Sequence, residues 1–203
     1  NCARKRLKSD TVRILILSAG RRVELVKEFQ AEARFLNKQS KVFASDMEPV
    51  FSAACQVADQ YFLSPLAASE EFSLWLIQLC KAEEIDLVIP TNDHELLPLA
   101  RISESLEKIG TRAVVGSPNF IAACRNKRQT GKEIYERYGL KYPREMDRSD
   151  LSFPLFCKPF DGSSSVGAIA LFSGADLTDT LLKDERNMFQ EYFGSEYSEY
   201  TCD

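Results

Sequence analysis

Hydrophobic positions in the first half of the chain follow two alternating rhythms. Residues 11–18 (TVRILILS) form a short β-branched apolar run that ends in Ala19-Gly20, the pattern of a buried parallel strand with a tight turn behind it. Residues 22–37 then place Val23, Val26 and Phe29 on one helical face, with Lys and Glu between them. The step repeats. Residues 41–46 (KVFASD), 61–64 and 86–90 (DLVIP) read as further strands, each followed by helical spacing. The clearest helices cover 71–84, with Phe72, Trp75, Leu76 and Leu79, and 95–109, with Leu96, Leu99, Ile102 and Leu106. Gly110 ends the latter, and 111–116 (TRAVVG) reads as a fifth strand. The alternation predicts an α/β domain whose parallel sheet is covered on both faces, with ligands at the carboxyl ends of the strands.

From Ser117 the rhythm changes, which places a domain boundary between 11–116 and 117–203. Pro118 opens a helix over 119–126, and a second helix covers 127–138 and stops at Gly139. Residues 154–159 (PLFCKP) then read as a strand, 161–167 (DGSSSVG) as a small-residue loop and 168–172 as a return strand. A helix over 176–184 and a strand over 188–193 follow, and 197–202 alternate like an unfinished strand.

Composition narrows the function. The 203 residues are 44% hydrophobic and 28% charged, as in ordinary globular proteins and unlike disordered chains or repeat arrays. A formal charge of -4 gives no reason to expect nucleic acid or an anionic membrane as partner, since either favours a basic face. No apolar run approaches the roughly 20 residues that span a bilayer, and residues 1–10 do not resemble a signal peptide. A cytoplasmic location is therefore expected. Six cysteines without a C-x-x-C pair, and His94 as the sole histidine, argue against zinc and for reduced thiols.

The most informative segment runs from Cys157 through Lys158-Pro159-Phe160-Asp161 to Gly162-Ser163-Ser164-Ser165-Val166-Gly167. A strand lysine places a fixed positive charge, and a Gly/Ser loop behind it can fold over phosphates and offer N–H and hydroxyl donors. The lysine precedes the glycines and no G-K-[ST] follows, which argues against a P-loop ATPase. Taken alone, a hairpin with an exposed lysine accounts for the same residues.

Five stretches together are similar to the ATP-grasp superfamily, specifically to single-module proteins like the carbamoyl-phosphate synthase large subunit. They are ILILSAGRRVELV (14–26), VIPTNDHELLPLA (88–100), NKRQTGKEIYERYGL (126–140), PLFCKPFDGSSSVG (154–167) and QEYFGSEYS (190–198). The resemblance implies a Rossmann-like pre-ATP-grasp domain followed by an incomplete α+β ATP-grasp domain. It also implies roles. Lys127 resembles the first ATP-contacting basic residue, and Lys158 the strand lysine that reaches phosphates and adenine. Gly162, Ser163, Ser164, Ser165 and Gly167 resemble the flap over the phosphates. Gln190, Glu191, Tyr192 and Phe193 resemble the adenine-reading hinge, and Glu196 the ribose-binding carboxylate. The hinge is one residue shorter than the family spacing before its glycine.

Within the first domain, Gly20, Arg21 and Arg22 form a strand-to-helix turn able to hold an anion. Asp46 ends the second strand, where Rossmann folds often meet a ribose, but the lack of G-x-G-x-x-G argues against a dinucleotide. Asp93 and Glu95 follow the fourth strand on what the resemblance makes the substrate side, and helix capping by Asn92 or Asp93 explains much of the same sequence.

The resemblance further implies ATP and Mg²⁺ as cofactors, carboxylate and amine substrates, and a ligase that forms a C–N bond through an acyl-phosphate. It allows a homodimer. The family's acidic metal ligands have no counterpart in the sequence, so no metal ligand is assigned here, the chain reads as a fragment, and little or no catalysis is expected of it alone. A non-catalytic nucleotide- or metabolite-binding module is the alternative.

Overall fold

The computed structural model describes residues 11–162, 165–194 and 197–198. The chain divides into two compact units, Asn1–Ile121 and Ala122–Asp203. No helix among the described residues is long and apolar enough to cross a membrane.

The first unit is built on a five-stranded parallel sheet. Its strands are β1 (Arg13–Ile16), β2 (Lys41–Asp46), β3 (Gln60–Leu63), β4 (Leu87–Ile89) and β5 (Arg112–Ala113), in the order β3-β2-β1-β4-β5. Strand parity divides the core. Leu15, Leu17, Phe43 and Val88 face α3 (Glu71–Ala82) and α4 (Asp93–Lys108), where Phe72, Leu76, Leu99 and Leu106 are buried. Ile14, Ile16, Val42 and Ala44 pack with Val26 and Ala33 of α1 (Val23–Leu36), and with Ala54 and Cys55 of α2 (Ala53–Val57). Each fully buried Leu or Phe is worth roughly 1.5–3 kcal/mol, so these two layers hold the helices on the sheet. The order reverses between β1 and β4, and this switch point lies at the carboxyl ends of both strands.

The second unit contains α6 (Lys127–Tyr138) and a three-stranded antiparallel sheet. Its strands, β6 (Leu155–Pro159), β7 (Ile169–Leu171) and β8 (Asn187–Glu191), are ordered β7-β6-β8. Between the units' sheets lies α5 (Pro118–Arg125) in the sequence. Leu155, Cys157, Leu171 and Phe189 cover one sheet face together with Leu181 and Leu182, the latter two from α7 (Asp179–Lys183). Register sets Phe156 against Gln190 and Lys158 against Met188, so these four residues share the opposite face.

Several boundaries differ from the sequence reading. α4 begins at Asp93 because Asn92 forms a capping box with Glu95. The helix expected over 176–184 is a 3₁₀ turn (Gly174–Asp176) followed by α7, because Thr178 caps Leu181 and restarts the chain. β5 is shorter than 111–116 and β8 ends at Glu191. Tyr197 and Ser198 are not in a strand, and the rest of the stretch over 199–202 lies outside the described residues.

Candidate functional site

In the second unit, two lysines from different elements reach one pocket. Asn126 caps α6 by accepting from the amides of Arg128 (3.1 Å) and Gln129 (3.2 Å), so the helix begins with Lys127. The Lys127 amide donates to the Phe160 carbonyl (2.9 Å), and its Nζ donates to the Gly162 carbonyl. Lys158 comes from β6, with its Nζ 5.8 Å from the centre of the Phe156 ring. Both lysines line a cavity of about 270 Å³ with Phe156, Pro159, Gly162, Ser165, Val166 and Ala168. No carboxylate occurs among the described residues that line it. Burial pushes the Lys158 ammonium below its ordinary value, and the charge of Lys127 pushes it further the same way. Two half-buried cations in a lining that holds no carboxylate among its described residues suit a polyanionic ligand.

The glycine loop closes tightly beside β6. A Cβ at Gly167, whose φ is +76°, would lie 3.1 Å from Cγ of Pro159, and a Cβ at Gly162 would lie 3.3 Å from Cβ of the same ring. Small residues therefore let the loop fold back over the strand. Ser165 also has a positive φ of 57°. Ser163 and Ser164 lie outside the described residues.

The segment from Gln190 to Phe193 leads out of β8. Gln190 is buried; its Nε2 donates to the Pro143 carbonyl (2.9 Å), whereas its Oε1 has no hydrogen-bond partner among the described residues. Glu191 accepts from the Arg144 amide (3.2 Å) and pairs with that guanidinium at 3.3 Å. Tyr192 meets Phe172 edge-on at 5.5 Å, and Phe193 meets Tyr197 at 4.8 Å. Glu196 lies outside the described residues.

The remaining candidates gather at the switch point of the first unit. Ser18, at φ +43°, donates from its hydroxyl to Glu95 (2.5 Å), and the Thr91 hydroxyl donates to the carbonyls of Leu17 and Ser18 (2.8 Å each). Glu95 is buried and also accepts from the amides of Thr91 and Asn92 (3.2 Å each). Burial raises its carboxyl above the usual range, outweighing those hydrogen bonds and the nearby Arg22. Arg22 donates to the carbonyls of Thr91 (2.9 Å) and Ser18 (3.3 Å), while Arg21 and Asp93 are exposed. Gly20, at φ +53°, donates its amide to Asp46 (2.9 Å), and the other oxygen of Asp46 accepts from the Glu48 amide (3.1 Å). Glu95, Arg22 and Asp46 thus hold the loops together, while Arg21 and Asp93 face solvent.

Sequence reading passed over several residues that shape the second unit. Phe156 walls the cavity, and its place on the Lys158 side follows from period-two alternation within PLFCKP. Asp161 pairs with Arg186 at 2.9 Å, which holds its carboxyl below the usual range. Arg128 joins Glu145, Phe160 and Asn187, and those long-range partners leave no local signal.

Comparison with solved structures shows the fold. L-amino acid ligase from Bacillus licheniformis superposes with a TM-score of 0.64 at 19% identity, over 90% of this chain and 44% of that one. A biotin carboxylase complex with β,γ-ATP from Campylobacter jejuni gives a TM-score of 0.63 at 15% identity, over 89% and 45%. The biotin carboxylase domain of Hydrogenobacter thermophilus 2-oxoglutarate carboxylase, solved with MgADP, ADP and bicarbonate, gives 0.64 at 13%, over 89% and 44%. The chain therefore has the fold of ATP-grasp proteins, and it spans less than half the length of these structures. Residues 14–114 match the family described as "PylC-like, N-terminal domain". No curated protein matches the chain.

Proposed function

We propose that this chain supplies the nucleotide-binding front part of an ATP-grasp ligase that activates a carboxylate as an acyl-phosphate and joins it to an amine. The observation that carries this reading is the pocket lined by Lys127 and Lys158 and free of carboxylates among its described residues. A triphosphate brings several negative charges to a half-buried place, and two fixed ammonium groups would offset them with little reorganisation.

In this reading Lys127 and Lys158 bind the phosphates, and Gly162, Ser165 and Gly167, with Ser163 and Ser164, form the loop over them. The apolar face of Phe156 sits beside Lys158 and suits a planar base. The buried Oε1 of Gln190, without a partner among the described residues, is able to accept from an exocyclic amine once the segment from Glu191 to Phe193 shifts around a base. Glu196 is assigned to the ribose hydroxyls on the sequence resemblance. Arg21 and Asp93, exposed at the switch point, are assigned to the substrate side, with Gly20, Arg22 and Glu95 shaping the loops there.

ATP supplies the phosphoryl group that turns the carboxylate into an acyl-phosphate with release of ADP, the amine then displaces inorganic phosphate, and the lysines neutralise and orient the nucleotide's phosphates. The described residues include no group of three or more His, Cys, Asp or Glu side chains placed to hold a metal ion. Mg²⁺ enters this proposal only as the ion that accompanies the nucleotide. The B. licheniformis relative is an L-amino acid ligase, and we take an amino acid as the first substrate class to test.

The test is ADP formation by the whole protein, measured across a panel of carboxylates and amines. The reading expects ADP release that depends on both substrates. Nucleotide binding without substrate-dependent turnover across the panel would favour a binding module instead.

A further inference from the structure

Arg128 does not line the two-lysine pocket, yet it follows Lys127 directly and joins the elements that frame the pocket. Its Nε donates to both oxygens of Glu145 (2.8 and 3.0 Å), and one terminal nitrogen donates to the Asn187 carbonyl (3.0 Å). The guanidinium carbon lies 5.0 Å from the centre of the Phe160 ring. Phe160 in turn accepts the Lys127 amide (2.9 Å) and donates its own amide to Arg186 (2.8 Å). Asn187 pairs with Pro159, one residue beyond Lys158. One planar cation thus fastens the head of α6 to the end of β6 and the start of β8.

We propose that Arg128 is a positioning residue that sets where Lys127 stands relative to Lys158 and so sets nucleotide affinity. The inference rests on the nucleotide reading above. The Arg128–Glu145 pair is about a third exposed on both sides (36% and 33%), and a pair so open to solvent contributes little to global stability. What the network fixes is geometry. A lysine at 128 would keep the charge but could not hold Glu145 through one nitrogen and Asn187 through another, nor set a guanidinium over the Phe160 ring.

The experiment is calorimetric titration of the chain with ADP in a double-mutant cycle: wild type, Arg128→Lys, Lys127→Ala and the double variant. If Arg128 acts through Lys127, Arg128→Lys weakens ADP about fivefold or more in the wild type but less than about twofold once Lys127 is gone. Equal losses in the two backgrounds, or no loss in the wild type, overturn the proposal. A Lys127→Ala variant with wild-type affinity overturns it through its premise, and is told apart because Lys127 itself is then silent. Should melting curves show Arg128→Lys unfolded, Glu145→Gln removes the partner charge from the other side and is expected to give the same pattern.

Discussion

The hydroxyl of Ser18 donates to the carboxyl of Glu95 at 2.5 Å although 77 positions separate them. The bond ties the end of β1 to the start of α4 across the switch point of the sheet. Glu95 also satisfies the amides of Thr91 and Asn92, so truncation to alanine leaves these partly buried donors and the Ser18 hydroxyl without their acceptor. Glu95→Ala is expected to cost about 1–3 kcal/mol in denaturant unfolding. Glu95→Gln, whose amide can donate to Ser18 and accept from the backbone, should cost much less. Equal losses would show that the hydrogen bonds do not hold this corner.

The same carboxyl gives a pH dependence with a definite sign. Burial raises Glu95 above the ordinary 4.5, so the folded state holds its proton more tightly than the unfolded chain does. The associated stability is fully present below that ordinary value and is lost as pH rises through the higher folded value. Thermal midpoints of the wild type should therefore fall relative to Glu95→Gln as pH climbs from 4.5 toward neutrality. Parallel curves for the two proteins would refute the assignment.

Lys158 behaves in the opposite sense. Burial and then Lys127 lower it below 10.5, so replacing Lys127 with methionine should raise it part of the way back while burial keeps it below 10.5. ¹³C NMR of labelled lysine side chains reports the titration directly. ADP binding should weaken as pH rises through the Lys158 value, because the neutral amine no longer attracts phosphate. An unchanged titration in Lys127→Met would separate the two lysines electrostatically.

Gly131 of α6 is buried against Tyr142, and an added Cβ would lie 2.5 Å from Cδ2 of that ring. Alanine favours a helix over glycine by about 1 kcal/mol, but overpacking costs typically about 1–3 kcal/mol. Gly131→Ala is therefore expected to destabilise. In a Tyr142→Ala background the sign should reverse, giving a gain of up to about 1 kcal/mol. A loss of equal size in both backgrounds would mean that Tyr142 is not the obstacle.

Residues whose roles are set by nearby neighbours were the ones legible in the sequence. The apolar run before Gly20 gave a strand, and its structure divides Ile14 and Ile16 from Leu15 and Leu17 onto the sheet's two faces. Gly139 ends α6 in the left-handed region at φ +64°, as its place after the last helical residue suggested. Roles set by distant partners were not legible. The position of Asp46 at the end of a strand says nothing of its partners, and its carboxylate accepts from the amides of Gly20, 26 positions away, and Glu48. Nothing local marks Arg128, because its partners Glu145 and Asn187 lie 17 and 59 positions away. Thr178 interrupts an otherwise helical stretch by capping Leu181, a local competition that hydrophobic spacing does not register.

The most direct test of the two-lysine pocket is isothermal titration of the chain with a non-hydrolysable ATP analogue, comparing the wild type with Lys158→Ala at matched folded content. The account expects binding by the wild type and a loss of about tenfold or more in the variant, equivalent to about 1.4 kcal/mol. Equal affinity in the two proteins would contradict the assignment of Lys158 to the nucleotide phosphates.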